Sequence, residues 1–484
     1  MDQTNSKKEE QNTISSGTVM NASIWYTISN FVVKGIGFLT VPVFSRLLTK
    51  QELGDYSNFL VWLDIFVIIF GLSLEASINR ARLDFPGKLD EYCSSLLAFG
   101  GVLSAVGLVI VLLLMPVIGK WVALSRFYII FAFLYVCVQH AYSIFMAQQR
   151  ITYKYKTGAL LSFSYALFST VLSLLLVLFM RDRYLARSLG QVVPMLLIGF
   201  PLIFVLWKKG KCINSQYIKY AVAYCWPFVP HLLALKALNA SDRIMIKNMI
   251  GSEANATYTI ANNCVSIAVL LFTSLNTAVS PWVFDRLHSK KTEELRKLTL
   301  PYVAIFAAFV YLIQLIAPEV LWIIGGEKYL EAKACFLPLF TSVIVQFCYA
   351  LYVNIEQYSK KTWAITLGTT IAAIVNIVLN FLLIPRYGYV AAAYTTLVGY
   401  IVLFLVHYSF VRIIGYKNIY NDKVVFAAII FSLMFQLVIL VLYQHDVARY
   451  IVAGIYILIG ACLVFWKRKE IIKILKEMKK NRHA

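Results

Sequence analysis

Fourteen long apolar segments recur along this chain, at 18–44, 57–79, 92–118, 127–149, 157–180, 185–207, 217–241, 256–284, 298–317, 334–357, 362–384, 389–411, 424–443 and 450–466. A hydrocarbon core about 30 Å thick takes roughly 20 helical residues to cross. The segments therefore predict an all-α polytopic membrane protein with about 14 transmembrane helices. Several exceed the minimal length, which tilt accommodates. Interior prolines (Pro42, Pro194, Pro227, Pro230, Pro338) predict kinks, tolerable where neighbouring helices satisfy the freed backbone groups. Composition agrees: 60% of residues are hydrophobic and 14% charged, with mean hydropathy +0.72. That excludes a soluble enzyme, and the 15% aromatic share suits interfacial belts.

A net charge of +21 invites a nucleic-acid reading, but the lysines and arginines sit in short loops between apolar runs. A nucleic-acid binder needs a soluble basic face, so no nucleic-acid partner is expected. The loop charges instead set orientation. Alternate loops, counted from the N-terminus, hold 30 Lys and Arg; the intervening set holds 13, and Lys34 and Lys236 lie inside spans. The positive-inside rule puts both termini in the cytoplasm, and an even number of spans agrees with their lying on one side. Residues 1–17 form a polar tail without a secretory signal. Residues 467–484 form a basic tail, read either as a stop-transfer anchor or as an amphipathic helix on the anionic leaflet. The eight cysteines are scattered without a CxxC pair and no HExxH occurs, so neither metal ligands nor catalytic residues are expected.

Function is written in the polar residues inside the spans. Ser23, Thr27, Asn30 and Lys34 share one face of the first; Ser57, Asp64, Gly71 and Glu75 share one face of the second. The seventh carries His231, Lys236, Asn239, Asp242 and Arg243. The eighth carries Asn262, Ser266, Thr273, Asn276 and Ser280, and the eleventh Thr362, Thr366, Thr369, Asn376 and Asn380. Such faces avoid lipid, because unpaired polar groups in hydrocarbon are costly. Uncharged stripes serve helix–helix hydrogen bonds as well as cavity lining. Intramembrane charges at Lys34, Asp64, Glu75, Lys236 and Glu356 are functional candidates, with structural ion pairs as the competing account. The last two spans carry almost no polar face and read as peripheral additions.

Arg46, Lys50 and Gly54 follow the first span at the spacing with which Arg243, Lys247 and Gly251 follow the seventh, 197 residues on. Six spans separate the copies, which implies two parallel halves related by an axis along the membrane normal. The expected organisation is an N-terminal six-helix half over 18–211, a second over 212–415, and two extra helices over 416–466.

These segments carry a resemblance. The stretch 38–56 (FLTVPVFSRLLTKQELGDY) is similar to the first-span exit of bacterial polysaccharide repeat-unit flippases, in the multidrug/oligosaccharidyl-lipid/polysaccharide exporter superfamily. Asp242-Arg243 with Gly251 and Tyr258 resembles the family's seventh-span exit, although Asn255-Ala256-Thr257 stands where a glycine is more usual. The run from Asn376 and Asn380 through Pro385 and Gly388 resembles its eleventh-to-twelfth span junction. The resemblance, over about 15–415, implies two six-helix halves around a central cavity. It also implies movement of an undecaprenyl-diphosphate-linked oligosaccharide from the inner to the outer leaflet of a bacterial cytoplasmic membrane, with a polymerase and glycosyltransferases as pathway partners. On that reading Asn30, Lys34, Lys236, Asn239, Asn262, Asn276 and Asn376 line the substrate cavity, and the two lysines meet the diphosphate. Asp64, Glu75, Asp242, Arg243 and Glu356 serve charge pairing or coupling to protons or sodium, with no other cofactor. The rivals are a drug/cation antiporter, which suits an acid-rich cavity, a lipid II flippase, and a membrane polysaccharide polymerase, which needs a longer exterior loop than the roughly 15 residues present.

Overall fold

A computed structural model describes residues 16–152, 154–359, 361 and 363–466. The tails at 1–15 and 467–484, and with them the reading of an amphipathic basic tail, lie outside the described residues. In chain order the helices are α1 Ser16–Leu47, α2 Lys50–Gly71, α3 Ile78–Asp84, α4 Leu89–Val122, α5 Arg126–Ile151, α6 Tyr155–Phe179, α7 Arg183–Gly210, α8 Ser215–Cys225 and α9 Phe228–Met249. They continue as α10 Ser252–His288, α11 Thr292–Leu315, α12 Ala317–Gly325, α13 Lys333–Tyr358, α14 Trp363–Tyr387, α15 Tyr389–Ile413, α16 Asp422–Leu442 and α17 Asp446–Trp466. No strand occurs among the described residues.

Helix covers most of each of the fourteen apolar segments, with breaks inside the second and the seventh. Among the described residues eleven helices are long and apolar enough to cross a membrane, and the pair α8 and α9, bent by 45°, makes a twelfth if counted as one span. The helices α1 and α17 are not among these twelve. The bend falls at Pro227, where the missing N–H and the ring disfavour continuation. By contrast Pro42, Pro194 and Pro338 lie inside helices that run through them.

The second segment departs from expectation. Its helix stops at Gly71, because Leu72 and Ser73 take positive φ values of 49° and 48°. A 3-10 turn over Leu74–Ser77 and the short α3 follow. Glu75 therefore does not share a helix face with Ser57 and Asp64.

The chain divides into two compact units. One holds residues 1–48 and 59–233; the other holds 49–58 and 234–484. In the first unit, small residues let helices approach closely, the usual device where lipid supplies no hydrophobic drive. A Cβ at Gly190 would lie 2.4 Å from Ser173 Cα, at Gly199 1.9 Å from Val138 Cγ1, and at Gly107 2.3 Å from the Phe70 ring. These contacts press α7 onto α6 and α5, and α4 onto α2. A second cluster around Tyr92, Cys93, Leu96, Ile144, Leu206 and Tyr217 holds α4, α5, α7 and α8 together.

In the second unit, α13 is the buried centre, covered by α10, α11, α14, α15 and α16. Leu315, Leu337, Ile439 and Ala453 pin α16 and α17 to it. The Arg449 guanidinium, 2% exposed, grips Glu319 of α12 at 2.6 and 2.7 Å and donates to the Leu315 carbonyl at 2.9 Å. That grip, with the Tyr450 hydroxyl, brings the Glu319 carboxyl down to about 2.

Candidate functional site

A largely buried polar arrangement in the second unit joins α9, α10, α14 and α15. On α9, Asn239 and Asp242 are three residues apart and so lie on adjacent turns. On α14, Asn376 and Asn380 are stacked at i and i+4, and on α15, Thr396 and Tyr400 repeat that spacing. Gly399 lets the three helices close in: a Cβ there would stand 3.3 Å from Leu238 Cδ1 and 3.4 Å from Asn376 Cβ.

Asp242 is the hub, 2% exposed. Its Oδ1 accepts from Asn380 Nδ2 at 2.5 Å. Its Oδ2 accepts from the Tyr258 hydroxyl at 2.5 Å and from Thr396 Oγ1 at 2.7 Å. Asn380 Nδ2 also reaches Asn376 Oδ1 at 3.2 Å, and Asn380 Oδ1 accepts from Thr395 Oγ1. Ser241 Oγ donates to Asn376 Oδ1 at 3.1 Å, while Asn376 Nδ2 has no partner among the described residues. Tyr400 donates to Asn239 Oδ1 at 2.7 Å. Arg243, half-buried, is close enough for its charge to act on Asp242. Hydrogen bonds to a carboxylate are roughly twice as strong as neutral ones, and three donors from α10, α14 and α15 converge on this one side chain.

Chemically, this is an oxygen-rich setting with one carboxylate, two amide carbonyls and two threonine hydroxyls. It suits a hard cation, which takes oxygen ligands. No group of three or more His, Cys, Asp or Glu able to hold a metal occurs among the described residues.

A second buried pair lies on α13 and α15. His407 Nδ1 stands 2.9 and 3.0 Å from the two Glu356 oxygens, and both side chains are 0% exposed. Near the start of α2, Lys50 pairs with Glu331 at 2.6 Å, Lys247 pairs with Asp55, and Ser252 Oγ donates to Asp55 at 2.7 Å. Gly54 is required there: a Cβ would fall 1.8 Å from the Ser252 carbonyl oxygen.

The structure thus brings together Asn239, Asp242 and Asn376 of the candidates read from sequence, with Arg243 at their edge. Asn276 lies elsewhere on α10, accepting from Asn354 Nδ2 at 3.1 Å, and Asn262 is half-buried on the same helix. Lys34 and Asp64 are exposed side chains of the first unit, Glu75 is half-buried on its 3-10 turn, and Lys236 is half-buried on α9. The side chain of Asn30 lies outside the described residues. Sequence reasoning missed Thr395, Thr396, Tyr400 and His407. Thr396 and Tyr400 face inward one turn apart in an otherwise apolar span, and a histidine in such a span was a signal in itself.

Comparison with known proteins places the chain. The model of the family described as "Polysaccharide biosynthesis protein" matches residues 19–288, more than half of the chain. The chain belongs to this family. The MatE family model matches residues 227–382. Protein 1 of the Lsg locus of Haemophilus influenzae is 22% identical over 373 residues, covering 74% of this chain and 90% of that protein. An uncharacterized membrane protein of the same organism is 20% identical over 361 residues, covering 72% and 86%. Among solved structures, the lipid II flippase MurJ in an inward closed conformation superposes with a TM-score of 0.70 at 11% identity, covering 93% of this chain and all of that one. An inward-facing multidrug resistance MATE family transporter of the MOP superfamily gives 0.57 at 14% identity, covering 81% and 97%. The family member therefore shares the fold of these multi-pass membrane proteins.

Proposed function

We propose that this family member is a flippase that carries undecaprenyl-diphosphate-linked oligosaccharide repeat units from the inner to the outer leaflet of a bacterial cytoplasmic membrane, for surface polysaccharide synthesis. The observation that carries the reading is the match of 19–288 to a polysaccharide biosynthesis family in a chain with a transporter fold. The substrate chemistry fits. A diphosphate wants cations, and Lys34 on α1 and Lys236 on α9 are the intramembrane lysines, the first exposed and the second half-buried. Sugar hydroxyls want amide and hydroxyl walls, which Asn239 and Asn262 supply. A polymerase and glycosyltransferases of the same pathway would deliver and consume the substrate, and both termini would face the cytoplasm.

The Asp242 network would couple the cycle to an ion. A sodium ion would be held by the Asp242 carboxylate with the oxygens of Asn376, Asn380, Thr395 and Thr396, and a proton would reside on Asp242 itself. Either cancels the buried charge, so occupancy changes how tightly α14 and α15 are held to α9.

Deletion tests the reading. Surface polysaccharide should disappear while its lipid-linked precursor accumulates on the inner leaflet. The superposition on MurJ supports a second reading, transport of lipid II. Deletion would then block peptidoglycan synthesis and arrest growth, with surface polysaccharide lost only as a consequence. A strain that kept its polymer and lost resistance to cationic drugs would establish an antiporter instead.

A further inference from the structure

The buried pair Glu356–His407 plays no part in the Asp242 network. Its geometry is unusual for a structural ion pair. His407 Nδ1 is shared between both carboxylate oxygens at 2.9 and 3.0 Å, leaving the ring's other nitrogen, Nε2, buried with no hydrogen-bond partner among the described residues. That nitrogen looks at Gly368 of α14, where an added Cβ would stand only 3.1 Å away. The space beside it exists because residue 368 has no side chain.

Groups around the pair come from α13, α14, α15 and α16. Tyr349 of α13 stacks on the imidazole at 5.6 Å and 21°, and stacks in turn on Tyr400 of α15 at 6.5 Å. Tyr400 ends on Asn239, three residues from Asp242. Toward the ends of the helices, Arg412 of α15 pairs with Asp422 of α16 at 3.2 Å, and Tyr352 of α13 donates to the same aspartate at 2.9 Å. Lys361, just past α13, donates its backbone N–H to the Glu356 carbonyl at 3.0 Å. From α14, Gly368 comes up against the imidazole, where an added Cβ would stand 3.1 Å from Nε2.

Charge arithmetic decides what such a pair does. With imidazole neutral and carboxylate ionised, the pair carries one negative charge in a membrane-embedded core, which is expensive. Adding one proton from water makes an imidazolium–carboxylate pair of net charge zero, but leaves Nε2–H as a buried donor without an acceptor. Both forms carry a cost, so neither is held outright.

We propose that Glu356 and His407 form a proton-binding site, separate from the Asp242 network, that gains and loses one proton during the transport cycle. The bond made is N–H on the His407 imidazole, the proton comes from the aqueous phase, and its release returns the pair to one negative charge. Gly368 keeps the space at Nε2 open, and the Tyr349–Tyr400 column ties the pair's packing to Asn239 beside Asp242. The proposal rests on the ion-coupled reading of the transporter.

Infrared difference spectroscopy of the purified full-length protein in lipid, titrated between about pH 5 and pH 8, tests it without any transported substrate. Wild type should show a reversible change in imidazole and carboxylate bands that is absent from His407→Gln and from Glu356→Gln. If a single variant folds poorly, the double variant Glu356→Gln with His407→Gln restores a neutral hydrogen-bonded pair and should fold while lacking the signal. In cells, the same double variant should lose the pH dependence of polysaccharide export. Identical difference spectra in wild type and the double variant would overturn the site. If the spectra change as expected but deletion leaves surface polysaccharide intact, the proton site stands and the substrate reading falls.

Discussion

Removing the Asp242 side chain should cost the protein its fold, whereas neutralising it should cost only the ion. In Asp242→Ala three donors lose their acceptor together: Asn380 Nδ2 at 2.5 Å, the Tyr258 hydroxyl at 2.5 Å and Thr396 Oγ1 at 2.7 Å. Hydrogen bonds between membrane helices average about 0.6 kcal/mol and reach about 1.7. Three of them, to a carboxylate and fully buried, sum to roughly 2–5 kcal/mol, a factor of about 30 or more in the folded fraction. In Asp242→Asn the amide oxygen can take the place of Oδ2 and keep Tyr258 and Thr396. Its NH2 then faces Asn380 Nδ2, donor against donor, and the cost falls to about one bond, on the order of 1–2 kcal/mol. The assay pairs the amount of monodisperse protein and its Tm in detergent with polysaccharide export in a deletion strain. Asp242→Ala should yield little folded protein; Asp242→Asn should yield near-normal protein that does not export. Asp242→Ala at wild-type abundance and Tm would refute the energetic argument, and full export by Asp242→Asn would refute the coupling role.

Further outcomes follow from other sites. Gly54→Ala should sharply lower protein abundance, because its Cβ would sit 1.8 Å from the Ser252 carbonyl oxygen; Gly37→Ala, which meets nothing within 4 Å, is the control on α1 and should leave abundance unchanged. Glu319, lowered from 4.5 to about 2, stabilises the fold above its unfolded value, and that contribution is lost as pH falls toward about 2. With its side chain 35% exposed, the discounted contribution is on the order of 1 kcal/mol. Wild-type Tm should therefore drop on acidification below about pH 4.5, and Glu319→Gln should show a lower Tm at neutral pH with a flatter acid limb. For Lys34, diphosphate binding requires that Lys34→Arg retain partial export and Lys34→Gln abolish it at unchanged protein level. A drop in abundance in Lys34→Gln, rescued by Asp64→Asn, would make it a structural charge instead.

Much of the fold was legible because lipid imposes a simple rule on sequence, a long apolar run per helix. The apolar runs located helix within each of the fourteen segments, though eleven or twelve spans are long and apolar enough among the described residues, and Pro227 marked the bend between α8 and α9. The early stop of α2 was not legible: nothing in Leu72-Ser73 demands positive φ, and the break is imposed by packing of the following turn, where Leu74, Ser77 and Ile78 are buried. At the site, periodicity found single helix faces, hence Asn239 with Asp242, and Asn376 with Asn380. It could not say which faces meet. Thr395 and Thr396 escaped because threonine inside a span is common, and His407 because its partner Glu356 lies 51 residues away on another helix.

The segment 49–58 has a consequence in time. It is part of the second unit, yet it leaves the ribosome 197 residues before Ser252, the partner of Asp55. At about 5–20 residues per second, the interval is roughly 10–40 s. For that long the Asp55 carboxylate and the Gly54 carbonyl stand in the growing chain without Ser252 and Asn255, which later bond them at 2.7 and 2.8 Å. Water at the membrane surface must hold these groups until α10 arrives. The polarity of this helix start, with Lys50, Glu52 and Asp55 in six residues, is what lets it wait there without being drawn into the bilayer. An apolar version of the segment would insert deeper and miss its appointment.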